Sequence, residues 1–217
     1  MKTSSILEKI DENQLFVPAF QREYVWKRED AKSLIDSLIK DYPTGTMLTW
    51  ETNFPPELKG PHKYEEQQGS VKILLDGQQR ITTLYMLING RIPPYYSEEE
   101  ITKDRNGHDT RGLYVNLSSL ELNYLQKTKM SSDPLWVNIT SIFQKAVKPR
   151  GVVKSLQSKD VDVSDDLYDK IENNYNSIIS ILDRDFLEQT VPAKAAIRDA
   201  IDIFYKVNDG GVALTEA

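Results

Sequence analysis

Val71-Lys72-Ile73-Leu74-Leu75-Asp76-Gly77-Gln78-Gln79-Arg80-Ile81-Thr82-Thr83-Leu84 is the stretch on which the reading of this chain turns. From Val71 to Leu75 it is apolar with one interruption, the pattern of a strand covered on both faces. Asp76-Gly77 breaks the strand. From Gln79 to Ile88 the residues Ile81, Leu84, Tyr85, Leu87 and Ile88 recur at helical spacing, and Asn89-Gly90 is a C-terminal stop. A buried strand, a glycine turn and a helix therefore follow in direct succession.

This corner has chemical content. The first N–H groups of such a helix point over the turn and favour anions. Gly77 lets the backbone approach a phosphate closely. Arg80 offers bidentate pairing to phosphate oxygens. Gln78 and Gln79 can read a base or sugar edge, Thr82 and Thr83 add hydroxyls, and Asp76 can hold Mg²⁺ directly or through water. The same residues also read as a plain corner, with Asp76 as N-cap and the polar side chains exposed.

On the N-terminal side, Ser4 to Ile10 reads as a short helix and Leu15 to Val17 as a strand stopped by Pro18. In Val17 to Trp26, Pro18 keeps the chain extended. Gln21 and Arg22 offer hydrogen bonds and charge, while Phe20 and Trp26 are expected to pack beneath the next helix. That helix runs from Lys27 to Lys40, with Ala31, Leu34, Ile35, Leu38 and Ile39 on one face. Asp41-Tyr42-Pro43 ends it, Thr44-Gly45 turns the chain, Met47 to Trp50 is a strand, and Thr52 to Ser70 is a loop.

On the C-terminal side, Pro93 to Gly112 reads as a loop or hairpin tip, and Leu113 to Leu117 as a strand. Ile139 to Val147 reads as a helix. Ser164 caps a helix through about Leu182. Phe186 to Val191 is a strand, and Ala195 to Val207 is the last helix, ended by Asn208-Asp209-Gly210-Gly211. The fold class is α+β, with a mixed core over residues 1–125 and a mainly helical extension over 126–217 that closes on it. The chain stops at Thr215-Glu216-Ala217 just after a turn, so a longer parent protein is expected.

With 217 residues, 39% of them hydrophobic and 28% charged, the composition is that of a soluble globular protein able to bury a core. Lys+Arg is 27 against 33 Asp+Glu, a net charge of −6. A domain devoted to gripping a DNA backbone is usually basic, so only a local basic patch is compatible with DNA contact. Residues 1–156 sum to about +1, and the stretch from Gln157 to Thr190 holds essentially all the excess acid. Its carboxylates, Asp160, Asp162, Asp165, Asp166, Asp169 and Glu172, read as a solvated helix start. Just before them, Lys145, Lys148, Arg150 and Lys154 occur with no acid among them around Pro149 and Gly151, as a surface loop able to touch phosphates.

Absent cysteines exclude disulfides, thiol nucleophiles, Fe–S clusters and Cys-ligated zinc, and two histidines exclude a three-His zinc site. There is no signal-peptide core and no apolar run of the ~20 residues needed to span a membrane. The expected location is the cytoplasm.

Four motifs in order resemble the GmrSD-type restriction-enzyme N-terminal domain family, whose hallmark is DGQQR. They are Pro18-x-Phe20-Gln21-Arg22-x-Tyr24-x-Trp26, Tyr42-Pro43-x-Gly45, Leu75 to Leu84, and Phe204-x-x-Val207-Asn208 with Gly210/Gly211 and Leu214-Thr215. The extra glycine after Asn208-Asp209 departs from the family spacing, and Gly211 is the better match. The resemblance implies a ParB/sulfiredoxin-like fold, a small mixed sheet with packed helices. In similar proteins DGQQR supports nucleoside triphosphate binding and hydrolysis in anti-phage defence, including restriction of modified DNA, with the nuclease often in a C-terminal His-Asn-His domain. Sulfiredoxin's cysteine chemistry does not carry over to a chain without cysteine.

The implied nucleotide-binding set is Gln21, Arg22, Gly77, Gln78, Gln79, Arg80 and Asn208, to which the residues themselves add Thr82. Asp76 and Arg80 are the expected catalytic pair, with Asp76 the Mg²⁺ ligand. The function expected is an Mg²⁺-dependent nucleoside triphosphatase that regulates DNA cleavage by a nuclease domain or subunit outside this chain. No strong general base is evident, so slow, switch-like turnover is expected. The alternative is a non-hydrolytic DNA- or partner-sensing module, and a third, less favoured reading is nicking by this domain itself. The family's behaviour implies a homodimer, and no membrane partner is expected.

Overall fold

A computed structural model describes residues 1–61, 63–65, 69–102, 109–195 and 197–209. His62, His108, Gly210, Gly211, Leu214 and Thr215 lie outside the described residues. In chain order the elements are α1 (Thr3–Asp11), β1 (Leu15–Phe16), α2 (Arg28–Ile39), β2 (Thr46–Thr52), β3 (Val71–Asp76), α3 (Gln78–Asn89) and α4 (Glu98–Thr102). There follow β4 (Leu113–Asn116), β5 (Leu122–Tyr124), α5 (Lys127–Met130), β6 (Trp136–Asn138), α6 (Ile139–Phe143) and α7 (Pro149–Gln157). The chain continues through α8 (Asp165–Ile179), a 3-10 turn (Ser180–Asp183), β7 (Leu187–Val191) and α9 (Ile197–Asp209). This is the α+β architecture expected, with a small mixed sheet.

The main sheet has the order β1-β3-β2-β7. β1 runs parallel to β3, β2 antiparallel to β3, and β7 parallel to β2, with Thr46 opposite Leu187 and Trp50 opposite Val191. The apolar run of β3 has its reason here, because both faces are covered. Leu74 joins a core built with Ile6 and Ile10 of α1, Ile35 of α2, and Ile81 and Leu84 of α3. Ile73 and Leu75 face the other way, into a cluster with Phe16, Leu48, Trp50, Val191 and Ala200 of α9. A second sheet, β5-β4-β6, is antiparallel. Strands β6 and β7 follow residue 125, yet pair with β4 and β2. Among the described residues, no helix is long and apolar enough to cross a membrane.

Several local expectations are corrected. The stretch Pro93 to Gly112 contains α4, because Ser97 and Glu100 exchange hydrogen bonds across its first turn. The basic stretch after Lys145 is not a loop from Pro149 onward. Pro149 begins α7, and Val152 and Leu156 are its buried stripe. The helix over Ile139 to Val147 stops at Phe143, and Lys145 then takes a positive φ of 57°. Strands β5 and β6 and helix α5 are too short to show a period. Ser164 does cap α8, accepting from Leu167 N–H at 3.3 Å, and the 3-10 turn carries the chain on to Asp183. Trp26 packs against the core as expected, whereas Phe20 is exposed.

Polar residues also tie the main sheet together. Glu188 of β7 accepts from Lys72 Nζ at 2.6 Å and from Thr49 Oγ1 at 2.8 Å. Partial burial pushes the Glu188 carboxyl upward, but the hydrogen bonds from Lys72 and Thr49 outweigh it and hold the pKa below the ordinary value of 4.5. A depressed folded pKa contributes stability above the unfolded pKa and loses it as pH falls through the folded value. Glu188→Gln should therefore cost about 1 kcal/mol at neutral pH, allowing for screening. In urea unfolding, the gap between parent and variant should close as pH is lowered below about 4. A gap that persists at low pH would show that charge is not its source.

Candidate functional site

Gly77 caps α3 with a φ of +97°, a left-handed conformation that disfavours any residue with a Cβ. A Cβ there would also stand 3.3 Å from Arg80 Nη2 and 3.5 Å from Met47 Cγ. The cap is thus Gly77 and not Asp76, and among the described residues no side-chain cap hydrogen bond closes the N-terminus of the helix. Ile81 N–H bonds back to Gly77 O at 3.0 Å. The N–H groups before it belong to the orphan first turn and aim over the corner.

Arg80 braces this turn. Its Nη1 donates to Thr44 O, its Nη2 donates to Thr46 O at 2.7 Å, and Nη2 lies 3.5 Å from Asp76 Oδ2. Gly45 sits beneath the guanidinium with a φ of +87°, and a Cβ there would come within 2.7 Å of Nη1. The Tyr42-Pro43-x-Gly45 motif is therefore the seat of Arg80. Burial lowers the Arg80 pKa and Asp76 opposes that shift. A cleft of about 580 Å³ borders this seat, lined by Tyr42, Pro43, Gly45 and Arg184 among others.

The glutamines face inward, where the plain-corner reading has them exposed. Gln79 Oε1 accepts from Val25 N–H at 2.8 Å and Trp26 N–H at 3.3 Å, while its Nε2 donates to Glu23 O at 3.0 Å. Gln78 Nε2 donates to Tyr96 Oη at 2.5 Å and Arg22 O at 3.3 Å. Gln78 Oε1 is buried with no hydrogen-bond partner among the described residues. Gln21 Nε2 donates to Leu75 O at 2.6 Å and Leu74 O at 3.3 Å. Thr82 is fully buried, its hydroxyl 3.0 Å from Tyr95 Oη. Tyr24 Oη lies 2.6 Å from Thr83 Oγ1, and burial pushes the Tyr24 pKa up to about 12.

Arg22 is the opposite case. Its side chain is exposed and has no hydrogen-bond or ion-pair partner among the described residues. Its carbonyl, in contrast, accepts from Lys59 Nζ at 3.1 Å, Gln78 Nε2 at 3.3 Å and Tyr96 Oη at 3.3 Å. Lys59 also lies 4.4 Å from the centre of the Tyr96 ring, and burial lowers its pKa against the pull of Glu100 and Glu23. Lys59 and Tyr96 are the site residues the sequence reading missed. Both fall in segments read as loops, and the signal was the adjacent Tyr95-Tyr96 pair, whose rings need burial.

The corner thus brings together Gln21, the backbone of Arg22, Asp76, Gly77, Gln78, Gln79 and Arg80. Thr82 lies one turn deeper. Asn208 is in α9, which covers the other face of β3 through Ala200 and Ile203, and its side chain lies outside the described residues. Among the described residues no three His, Cys, Asp or Glu side chains converge on a metal site. Asp76 is a lone, 37% exposed carboxylate. That suits Mg²⁺ carried on phosphates, which needs only one or two carboxylates from protein.

Two substitutions separate bracing from free groups. Gln79→Ala should cost about 2 kcal/mol in urea unfolding, because Val25 N–H and Glu23 O lose their partner. Arg22→Ala should stay within about 0.5 kcal/mol of the parent. Equal losses for both would show that the carboxamide does not brace the segment.

The family profile described as GmrSD restriction endonuclease, N-terminal domain, matches residues 3–217. The chain is also similar to an uncharacterized protein of Methanocaldococcus jannaschii, with 35% identity over 92 residues. The match covers 38% of this chain and 16% of that protein, so the chain spans only a small part of its relative. With the family match running over essentially its whole length, and with three of the family's motifs meeting at one corner, the chain belongs to the GmrSD restriction endonuclease N-terminal domain family.

Proposed function

We propose that this domain binds and hydrolyses a nucleoside triphosphate with Mg²⁺, and that its nucleotide state governs DNA cleavage by a nuclease domain or subunit of a cytoplasmic restriction system. The observation that carries the reading is the open start of α3. A 12-residue helix begins at a left-handed glycine with no side-chain cap, beside the Asp76 carboxylate and near the backbone that presents Arg22.

The residues take separate roles in this reading. The first-turn N–H groups and Arg22 neutralise phosphate charge over Gly77. Arg80 holds the turn through two carbonyls, and its remaining N–H groups stay available to a phosphate oxygen. Asp76 holds Mg²⁺ or orients the attacking water. Gln21, Gln78 and Gln79 form the wall that fixes these groups. Mg²⁺ bound here supplies charge neutralisation on the phosphoryl oxygens. The chain's own share is fixed electrostatic positioning.

A second reading has one observation in its favour. Both polar atoms of the Gln79 carboxamide are engaged internally, as a purely structural DGQQR element in a non-hydrolytic module requires. Phosphate release separates the two.

The test is a set of thermal melts with ATP, GTP, CTP and UTP, each with and without Mg²⁺. A ligand at about 100 times its Kd stabilises by about 2.7 kcal/mol, or roughly 5–10 °C at this chain length. A Mg²⁺-dependent rise with at least one nucleotide is expected. Arg22→Ala should lose much of that rise without lowering the nucleotide-free melt. Asp76→Asn should keep binding and lose Mg²⁺-dependent phosphate release. No rise with any nucleotide would overturn the reading, and a rise without phosphate release would favour the non-hydrolytic module.

A further inference from the structure

Helix α7 and the turn before it carry Lys145, Lys148, Arg150 and Lys154 and no carboxylate. All four are exposed, and none has a side-chain partner among the described residues. In α2 and α8, basic residues pair within the helix. Lys32, Lys40 and Lys170 each pair with a carboxylate one turn away on their own helix. In α7 the residue one turn from Lys154 is Arg150, a like-charge pair that costs a few tenths of a kcal/mol and has no compensating acid.

Acid is close at hand and is not used. Six carboxylates from Asp160 to Glu172 follow in sequence, and α8 packs on α7. None of them forms an ion pair with the α7 cations, and Asp166 pairs with Lys170 instead. Val152 and Leu156 anchor the helix to the core, which turns Arg150 and Lys154 to the opposite, solvent side. Between α7 and β6 runs a groove of about 410 Å³, lined by Lys148, Gly151, Ser155, Trp136 and Asn138 among others. A Cβ at Gly151 would meet nothing within 4 Å, so the approach to the backbone is open.

We infer that α7 and the Lys145 turn grip the phosphate backbone of duplex DNA. The cations are strung out and do not converge. From Lys148 to Lys154 the helix axis advances roughly 9 Å, a distance over which a duplex presents several phosphates. A single small anion would need them gathered at one point. The family to which the chain belongs is one of restriction endonucleases, whose substrate is DNA. The surface shares no residue with the α3 corner. The contact is electrostatic and independent of base sequence, and it reconciles a net charge of −6 with DNA contact.

The test is fluorescence anisotropy of a short labelled DNA duplex of arbitrary sequence, titrated with this chain at several salt concentrations. The parent should bind with an affinity that falls steeply with salt. Arg150→Glu/Lys154→Glu should bind at least about tenfold more weakly, with a salt slope shallower by roughly two. Its melting temperature and its nucleotide-induced shift should match the parent, so this proposal and the nucleotide reading fail separately. Lys63→Glu/Lys194→Glu, the same charge change at exposed cations elsewhere, should bind as the parent does. Absence of duplex binding at low salt would overturn the proposal. Equal loss in the control pair would overturn it, since overall charge would then be the cause. Tighter binding to single-stranded RNA would overturn the assignment to duplex DNA. So would salt-sensitive self-association through Asp160 to Glu172, seen by sedimentation without DNA binding.

Discussion

The Gln79 carboxamide does for the Glu23–Trp26 backbone what a neighbouring strand would do. It accepts from Val25 and Trp26 and donates to Glu23 O, so a segment outside every strand among the described residues has several of its polar groups met at one point. Gln21 completes the link in the other direction, from the segment to the Leu74 and Leu75 carbonyls of β3. Each bond contributes only about 1 kcal/mol net. Their arrangement matters more, because losing either side leaves partly buried groups unpaired on the other. The segment and the corner are therefore one mechanical unit, and the position of Arg22 follows from that of α3.

The same logic fixes the turn from the other side. Arg80 reaches across to the carbonyls on both sides of Gly45, and the two glycines at 45 and 77 leave room for its guanidinium. A half-buried cation is tolerated because its donors meet oxygens and Asp76 stands beside it. What remains open to a ligand is a short set: the first-turn N–H groups of α3, the Asp76 carboxylate with Arg80 Nη2 at 3.5 Å on one side, the remaining N–H groups of Arg80 and the Arg22 side chain. A backbone braced in this way needs little reorganisation when a charged ligand arrives, which is the condition for electrostatic catalysis and for tight anion binding alike.

Much of this frame was legible in the sequence. The apolar run of β3, the helical stripe of α3, the Ser164 cap and the glycine turn all carry local signals that tertiary packing then reinforces. The direction of the glutamines was not legible. A carboxamide offers one acceptor and two donors whether it meets a nucleotide or a backbone, and residue type does not say which. A hint lay in the segment from Gln21 to Tyr24, where two residues now buried flank two that are exposed. Lys59 and Tyr96 were hidden for a different reason. They reach Arg22 across 37 and 74 positions of sequence, and no local pattern encodes such a contact. The start of α7 was readable from Pro149 and the Val152/Leu156 spacing, but the density of charge masked it.

Net charge is a poor guide to the local fields of this domain, because the charge is sorted by element. The basic α7 and the acidic start of α8 are consecutive and packed together, yet they do not neutralise one another. Chains that simply need solubility mix the two signs along each helix, as α2 does with Glu29, Lys32, Asp36 and Lys40. Keeping them apart costs stability through like-charge repulsion and returns a local field with direction. A polyanion approaching such a surface is drawn to α7 and repelled from α8, so its orientation is set before any close contact forms. At the α3 corner the field has a different origin, in backbone dipoles with Arg22 and Arg80, and it acts over one turn of helix. The first arrangement suits a long polymer of phosphates and the second a compact one.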